Sequence, residues 1–191
     1  MTNDNPNIDR VLIPHDRIAR RVRELADQVT RDHAGGGGGE VTFVPVLTGA
    51  MIFAADLIRQ VPIAMRVGLV TVSSYPQAAV RSQGAQLLSR QLGDVRGHRV
   101  VLVDDILDSG GTVRLVVPIL RDLGAASVRT CVLLRKDRPD ARATPVDYVG
   151  FDIPDEFVVG YGLDYDNYYR NLPDIVTLKR DAVARSGSAE C

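Results

Sequence analysis

A short segment in the middle of the chain combines acidic side chains with a turn of small residues. Its acids are Asp104, Asp105 and Asp108. Its small residues are Ser109, Gly110, Gly111 and Thr112. Side chains this small leave backbone N–H groups open to an anion, and a helix that starts here adds the partial positive charge of its N-terminus. The turn at residues 108–112 therefore favours the binding of one phosphate group.

Asp104 and Asp105 favour a different kind of ligand. Carboxylates do not bind phosphate, but they accept hydrogen bonds from hydroxyl groups and they bind Mg²⁺. Three acids at the end of one strand also repel one another unless something binds there. The whole segment thus indicates a ligand with a phosphate, vicinal hydroxyls and magnesium, such as a phosphorylated ribose.

The residues of this segment are compatible with other interpretations. Asp108 or Ser109 could simply cap a helix. The acidic pocket of a phosphoacceptor domain fits less well, because the glycine turn follows the acids at once. A Walker-type phosphate loop fits poorly, because no lysine precedes Thr112.

The elements that would position this segment alternate along the chain. Apolar runs predict strands at residues 41–47, 66–73, 100–103 and 128–134, with shorter candidates at 86–90, 147–151 and 157–159. Helical spacing predicts helices from Asp16, over 50–59 and over 112–123. Because several strands are apolar on both faces, the pattern is typical of an α/β fold with a parallel sheet covered by helices. Ligands of such sheets bind beyond the carboxyl ends of the strands.

The length of 191 residues suits one domain. We expect a flexible N-terminus at residues 1–8, a single domain at 9–180 and a flexible tail at 181–191. Residues 74–84 are predicted to form a mobile loop, because they combine Pro, Gly, Ser and Gln without periodicity.

Composition excludes several classes of function. The net charge of −1 gives no basic footprint for nucleic acid, and no apolar run approaches the roughly 20 residues that span a membrane. The polar N-terminus lacks the apolar core of a secretion signal, so we expect a cytoplasmic protein. The two cysteines, Cys131 and Cys191, form neither a disulfide framework nor a zinc motif.

Two segments carry a resemblance to a known family. Residues 100–112 resemble the phosphoribosyl pyrophosphate (PRPP) motif of type I phosphoribosyltransferases. Residues 157–165, Phe-Val-Val-Gly-Tyr-Gly-Leu-Asp-Tyr, and residues 169–173, Tyr-Arg-Asn-Leu-Pro, resemble the C-terminal hallmark of the hypoxanthine-guanine enzymes. The likeness runs over residues 41–180. It implies a central, mostly parallel sheet flanked by helices, with a small hood formed by the terminal segments.

The resemblance also implies the activity and its partners. The expected reaction transfers the 5-phosphoribosyl group from PRPP to hypoxanthine, and to guanine as well, with release of pyrophosphate. Mg²⁺ is the expected cofactor. Members of the family form dimers and tetramers, so a homodimer or homotetramer is expected.

At the purine, the resemblance assigns roles to five residues. Asp108 is the expected general acid/base near N7, and Lys136 the expected donor to the exocyclic O6. Phe157 is expected to stack on the base, and the backbone of Val158 to contact its edge. Asp164 is expected beside the base as a ligand of a second magnesium ion.

At the phosphates, the resemblance assigns the turn 108–112, with the hydroxyls of Ser109 and Thr112, to the 5′-phosphate. Asp104 and Asp105 are expected to contact the ribose hydroxyls and magnesium. Arg170 is expected to bind pyrophosphate, as is the loop of Thr48 and Gly49.

Several positions depart from the family pattern or carry further expectations. Thr48 stands where many relatives have a lysine or arginine, and Gly111 where a lysine is frequent, so only backbone groups are left to bind there. The Leu47–Thr48 peptide is expected to be cis. Ser74 and Tyr75 lie in a loop that, in relatives, closes over the site.

Three alternatives stay open at this point. The acceptor could be xanthine or another base. A PRPP-binding regulator that recognises RNA could share the fold, using the arginines of the first helix, although those arginines are more simply its solvated face. An inactive PRPP-binding paralogue would be consistent with Thr48 and Gly111.

Overall fold

The computed structural model describes residues 5–35, 39–73, 86–179 and 181–182. The predicted mobile loop with Ser74 and Tyr75, most of the glycine run at 35–39 and residues 183–191 lie outside these ranges. Within the described residues, no helix combines the length and apolar character needed to cross a membrane.

The larger of two sheets has seven strands. Their bounds are β2 Val41–Leu47, β3 Met65–Val67, β4 Leu69–Ser73, β5 Gln86–Gln91, β6 Arg99–Leu107, β7 Ser127–Lys136 and β8 Tyr148–Ile153. The strand order is β5-β4-β2-β6-β7-β8, and β3 pairs with β2. Only β5 runs antiparallel to its neighbour β4; the other described pairings are parallel. This confirms the predicted mostly parallel sheet.

Helices cover both faces of this sheet. They are α1 His15–His33, α2 Met51–Ile58, α3 Gly111–Asp122 and the short α4 Pro139–Ala143. On one face, Val101 and Val103 pack in a buried cluster with α1 and α2. On the other face, Val100 and Leu102 pack with α3. Alternate residues of β6 point to opposite faces, so its segment Val100–Val103, which is buried on both sides, is apolar at every position.

A small second sheet forms the predicted hood. It joins β1 Ile8–Ile13, β10 Ile175–Leu178 and β9 Val158–Val159 in the order β1-β10-β9, with both pairings antiparallel. Ile8 lies within the segment predicted to be flexible, but it pairs with Leu178. That partner is too distant in the sequence for local reasoning to identify.

The structure changes three boundaries. Strand β6 continues through Asp104 and Asp105 to Leu107, because β7 pairs with it over that whole length. The predicted strand at 66–73 is interrupted at Gly68, whose N–H donates to the carbonyl of Phe43. Helix α1 begins at His15, before Asp16, and the carboxylate of Asp174 accepts the His15 N–H at 2.8 Å. Its cap therefore comes from the hood end of the chain.

Candidate active site

The site lies where parallel strands end at one edge of the larger sheet. Strand β2 ends at Leu47, β6 at Leu107 and β7 at Lys136. Because these strands are parallel neighbours in the order β2-β6-β7, the residues that follow them share one edge. Thr48, Asp108 and Lys136, which lie far apart in the sequence, are thereby brought to one side of the fold.

Asp108 is held between two cations. Its Oδ2 accepts a hydrogen bond from Lys136 Nζ at 3.3 Å, and its Oδ1 accepts one from Arg138 Nη1 at 3.1 Å. The Asp108 side chain is 47% exposed, whereas that of Lys136 is only 10% exposed. A buried ammonium needs such partners, because desolvation of a lysine is costly without them. Lys136 is therefore not a solvated surface lysine.

Asp155 completes this group of charges. Its Oδ1 lies 3.4 Å from Lys136 Nζ and 3.7 Å from Arg138 Nη1. Asp108, Lys136, Asp155 and Arg138 thus alternate in sign around a ring, which we call the charge ring. Sequence reasoning identified Asp108 and Lys136 but missed Arg138 and Asp155, because nothing local distinguishes either from a surface charge.

The glycine turn opens directly into α3. Gly110 is the residue before the helix, with φ of 78°, and among the described residues no side-chain hydrogen bond caps this helix start. The alternative in which Asp108 or Ser109 only caps this helix is therefore wrong. Uncapped N–H groups at the start of a helix are free to bind an anion. Gly111 and Thr112 form the beginning of this first turn.

Two residues that sequence reasoning missed hold the turn in place. Arg114 donates from Nη2 to the Ser109 carbonyl at 2.8 Å and from Nη1 to Thr144 Oγ1 at 3.0 Å. Thr144 is buried and donates in turn to the Asp140 carbonyl. A Cβ at Gly110 would overlap the Thr144 side chain, so both its positive φ and its close packing require glycine.

Asp104 and Asp105 lie inside β6 rather than after it. Asp104 is 4% exposed, and its Oδ1 accepts the backbone N–H of Asp105 at 3.1 Å. Burial raises the pKa of Asp104 well above its usual range, and the neighbouring Asp105 carboxylate raises it further. Burial also raises the pKa of Asp105, against the opposing effect of the Arg170 charge. In the described part of the chain, neither carboxylate forms an ion pair.

The loop after β2 approaches this acidic pair closely. A Cβ on Gly49 would overlap the carboxylate of Asp105, so only glycine leaves room for it. The preceding Leu47–Thr48 peptide is cis, as the resemblance implies. Gly162, with φ of 101°, packs against the carbonyl of Gly49 from the hood side. The Thr48–Gly49 loop is thus packed between β6 and the hood.

Asp164 and Arg170 lie together in the hood. Arg170 Nη2 pairs with Asp164 Oδ1 at 2.8 Å, and Arg170 Nη1 donates to the Gly162 carbonyl at 2.8 Å. Asp164 Oδ2 also accepts the Asn167 N–H at 2.8 Å. Since Gly162 also packs against the carbonyl of Gly49, the contact of Arg170 with Gly162 places these hood residues next to the Thr48–Gly49 loop.

A tyrosine ties this hood segment to the helix layer. Tyr161 is buried, and its hydroxyl donates to Asp56 Oδ2 of α2 at 2.6 Å. Burial and that carboxylate raise the pKa of Tyr161 far above its usual value, so it stays a donor. Sequence reasoning missed this pair, because Tyr161 was taken only as part of the hallmark segment.

Phe157 and Val158 follow the charge ring along the chain. Phe157 is 46% exposed, and its ring meets that of Tyr165 edge-on, with centroids 5.4 Å apart. Val158 is buried and pairs with Thr177 in the hood sheet. Phe157 is thus an exposed aromatic residue that follows Asp155, the second partner of Lys136, by two positions. Ser74 and Tyr75 lie outside the described residues.

Possible metal ligands among the described residues are few. No cluster of three or more His, Cys, Asp or Glu side chains capable of holding a metal ion occurs in those ranges. Asp104 and Asp105 provide two carboxylates, and Asp164 provides one that is already paired with Arg170. A metal here would need oxygens from substrate and water as well, as Mg²⁺ at phosphate sites usually has.

The fold is a mostly parallel sheet covered by helices, with a glycine turn beside an acidic strand end. A family model for the phosphoribosyl transferase domain matches residues 12–166. The chain therefore belongs to the phosphoribosyltransferase family.

Within this family, the similar proteins share one activity in their names. The hypoxanthine-guanine phosphoribosyltransferase of Mycobacterium avium is 41% identical over 177 residues, covering 90% of this chain and 86% of the relative. The hypoxanthine phosphoribosyltransferase of Escherichia coli is 40% identical over 167 residues, covering 86% and 92%.

Solved structures agree in fold over most of the chain. A hypoxanthine phosphoribosyltransferase of Trypanosoma cruzi superposes with a TM-score of 0.87 at 32% identity, covering 97% of this chain and 99% of that one. A hypoxanthine-guanine phosphoribosyltransferase of Bacillus anthracis gives a TM-score of 0.80 at 36% identity, covering 90% and 99%.

Proposed function

We propose that this protein is a purine-salvage phosphoribosyltransferase that transfers the 5-phosphoribosyl group of PRPP to hypoxanthine, and also to guanine. The observation that carries the proposal is the position of Asp108 and Lys136. They form one ion pair directly beside an uncapped glycine turn at the strand ends. A proton acceptor and an ammonium donor next to a phosphate site match a reaction between a phosphorylated ribose and a 6-oxopurine.

In the reaction, a bond forms between a purine nitrogen and C1′ of the ribose while the bond from C1′ to pyrophosphate breaks. The base must lose a proton, and Asp108 is the group proposed to exchange it near N7. A carboxylate in that position is a general acid/base. Its open side is available to a ligand, since the side chain is about half exposed.

Lys136 is proposed to select the base. Its ammonium would donate to O6 of hypoxanthine or guanine, whereas the 6-amino group of adenine would leave that donor unpaired. Phe157 would stack on the purine ring, and the backbone of Val158 would contact its edge. The low exposure of Lys136 supports this role, because a buried donor discriminates more strongly than a solvated one.

The phosphates are proposed to bind largely through backbone groups. The N–H groups of residues 108–112 and the hydroxyls of Ser109 and Thr112 would hold the 5′-phosphate. The N–H groups of Thr48 and Gly49 would hold pyrophosphate without a side-chain charge. Arg170 would add the positive charge that Thr48 does not supply, although the structure also engages it with Asp164.

Mg²⁺ fits the remaining oxygen ligands. Asp104 and Asp105 are two adjacent carboxylates with no ion pair in the described residues, and Mg²⁺ is commonly held by one or two carboxylates together with substrate oxygens. Asp164 would contribute to a second ion. When bound, the metal neutralises charge on the pyrophosphate. The protein's own part is to hold the ribose hydroxyls with Asp104 and Asp105.

We further infer that the protein assembles as a homodimer or homotetramer and acts in the cytoplasm, with no nucleic-acid or membrane partner. The family resemblance supports the assembly, and the net charge of −1 argues against an RNA-binding regulator. The described part of the site contains Asp108, Lys136 and the open glycine turn, which supports the enzyme over the inactive paralogue that Thr48 and Gly111 left open.

The experiment is a panel of bases. Purified protein with PRPP and Mg²⁺ is given hypoxanthine, guanine, xanthine or adenine, and pyrophosphate release is measured. Turnover with hypoxanthine and guanine but not adenine is expected. Turnover with adenine would contradict the role of Lys136. PRPP binding without turnover on any base would contradict the enzyme and favour the regulator or the inactive paralogue.

A further inference from the structure

Among the described residues, Arg138 is the closest cation to Asp108, yet it has no place in the roles described so far. Its Nη1 lies 3.1 Å from Asp108 Oδ1, compared with 3.3 Å from Lys136 Nζ to Asp108 Oδ2. Each carboxylate oxygen of Asp108 therefore has its own partner. A carboxylate bonded through only one oxygen can still rotate about its Cβ–Cγ bond, whereas one bonded through both cannot do so freely.

Lys136 alone is poorly suited to hold the Asp108 carboxylate in one orientation. Its ammonium lies between Asp108 at 3.3 Å and Asp155 at 3.4 Å, and it has three N–H donors. Donation to a purine O6 would use one of these donors, so the ammonium would be shared among the base and two carboxylates. Asp108 then needs a second partner that does not bind the base.

Arg138 meets that requirement through its location. It precedes α4, whose backbone begins at Pro139, and Arg142 N–H donates to the Arg138 carbonyl in the first turn of that helix. Arg138 has an extended backbone conformation between β7 and α4, and its side chain is 37% exposed. A planar guanidinium anchored in this way is already oriented for a carboxylate.

We propose that Arg138 is a positioning residue for the transfer reaction, holding Asp108 Oδ1 so that the carboxylate keeps its orientation while Lys136 binds the base. This inference rests on the proposed function. Arg138 does not touch the substrate in this account. Asp155 is the counter-ion that offsets the repulsion between the two cations of the charge ring. Its Oδ1 lies 3.4 Å from Lys136 Nζ and 3.7 Å from Arg138 Nη1.

The test compares Arg138→Ala with Arg142→Ala in the hypoxanthine assay. Arg142 is a matched control, since it lies in the same helical segment, is 42% exposed and pairs with Asp137 and Asp152 instead of Asp108. Arg138→Ala is expected to lower kcat about 10-fold while KM for PRPP stays within about twofold, because misplacing a reacting group affects the chemical step. Arg142→Ala should leave both near wild type.

Two further measurements separate positioning from a merely structural role. Arg138→Lys keeps a cation with a shorter reach, so its kcat should fall between those of the wild type and Arg138→Ala. In an Asp108→Asn background, Arg138→Ala should cause no further loss, because a residue that acts through Asp108 has nothing left to position.

The outcomes are distinguishable. If the wild-type protein turns over hypoxanthine and Arg138→Ala has the same kcat, this inference alone is overturned. The same holds if Arg138→Ala lowers kcat by an equal factor with and without Asp108→Asn. Equal losses in Arg138→Ala and Arg142→Ala would do the same. A wild-type protein that turns over no base would overturn the proposed function and this inference together.

Discussion

Asp108 and the pair Asp104–Asp105 belong to one short stretch of chain, but their surroundings differ sharply. Asp108 is half exposed and lies between two cations of the protein itself. Asp104 is buried beside Asp105, and in the described residues neither has an ion pair. The charge of Asp108 is thus balanced before any ligand binds. The Asp104–Asp105 pair, in contrast, has no counter-ion in an ion pair among the described residues.

This difference indicates that the two carboxylate regions have separate functions. A carboxylate balanced by fixed cations keeps one position and suits the transfer of a proton. A buried pair whose pKa values are raised by burial gains from a ligand that brings cations or hydroxyl donors. We therefore expect changes at Asp108 to affect turnover, and changes around Asp104 and Asp105 to affect substrate binding.

The largest expected effect comes from Asp108→Asn. The amide is nearly isosteric but cannot exchange the proton, so kcat should fall by roughly 10²-fold or more. The measurement is steady-state turnover with hypoxanthine at saturating PRPP and Mg²⁺. Near-normal turnover would remove Asp108 from the proton-transfer role.

A smaller effect is expected from Gly49→Ala. The added Cβ would overlap the Asp105 carboxylate, so either that side chain or the loop must move. Overpacking of this size costs about 1–3 kcal/mol, and we expect the affinity for PRPP to fall about 10-fold. Titration of PRPP in the presence of Mg²⁺ gives the affinity.

Gly35→Ala is the matched control for that variant, because a Cβ at Gly35 meets no atom within 4 Å. It should bind PRPP as the wild type does. A Gly49→Ala protein with unchanged PRPP affinity and lowered kcat would show that the Thr48–Gly49 loop serves the chemical step instead.

Much of this arrangement could be predicted from local sequence. The runs at β2, β6 and β7 are apolar on both faces, and that pattern is specific to strands buried between two layers. The turn from Asp108 to Thr112 was also predictable, because small residues between a strand and a helix have few other uses.

Other parts depend on contacts between distant segments. The hood strand β1 is recognisable only through its pairing with β10, at the other end of the chain. β6 extends through its acids because β7 provides backbone partners there, which outweighs the low strand propensity of aspartate.

Within the site, Arg138 and Asp155 look like ordinary surface charges in the sequence. Their role is visible only when the ends of β6, β7 and the segment before β9 come together in space. The same holds for Arg114 and Thr144 behind the phosphate turn.

The most direct test of the division between the two carboxylate regions is the affinity for PRPP of Asp105→Asn and Asp108→Asn. Calorimetric titration in the presence of Mg²⁺, without a purine base, measures binding separately from turnover. The account predicts that Asp108→Asn binds within about twofold of wild type and that Asp105→Asn binds about 10-fold more weakly or worse, the scale of one lost hydrogen bond to a charged group. An equal loss of affinity in both variants, or a loss in Asp108→Asn alone, would contradict it.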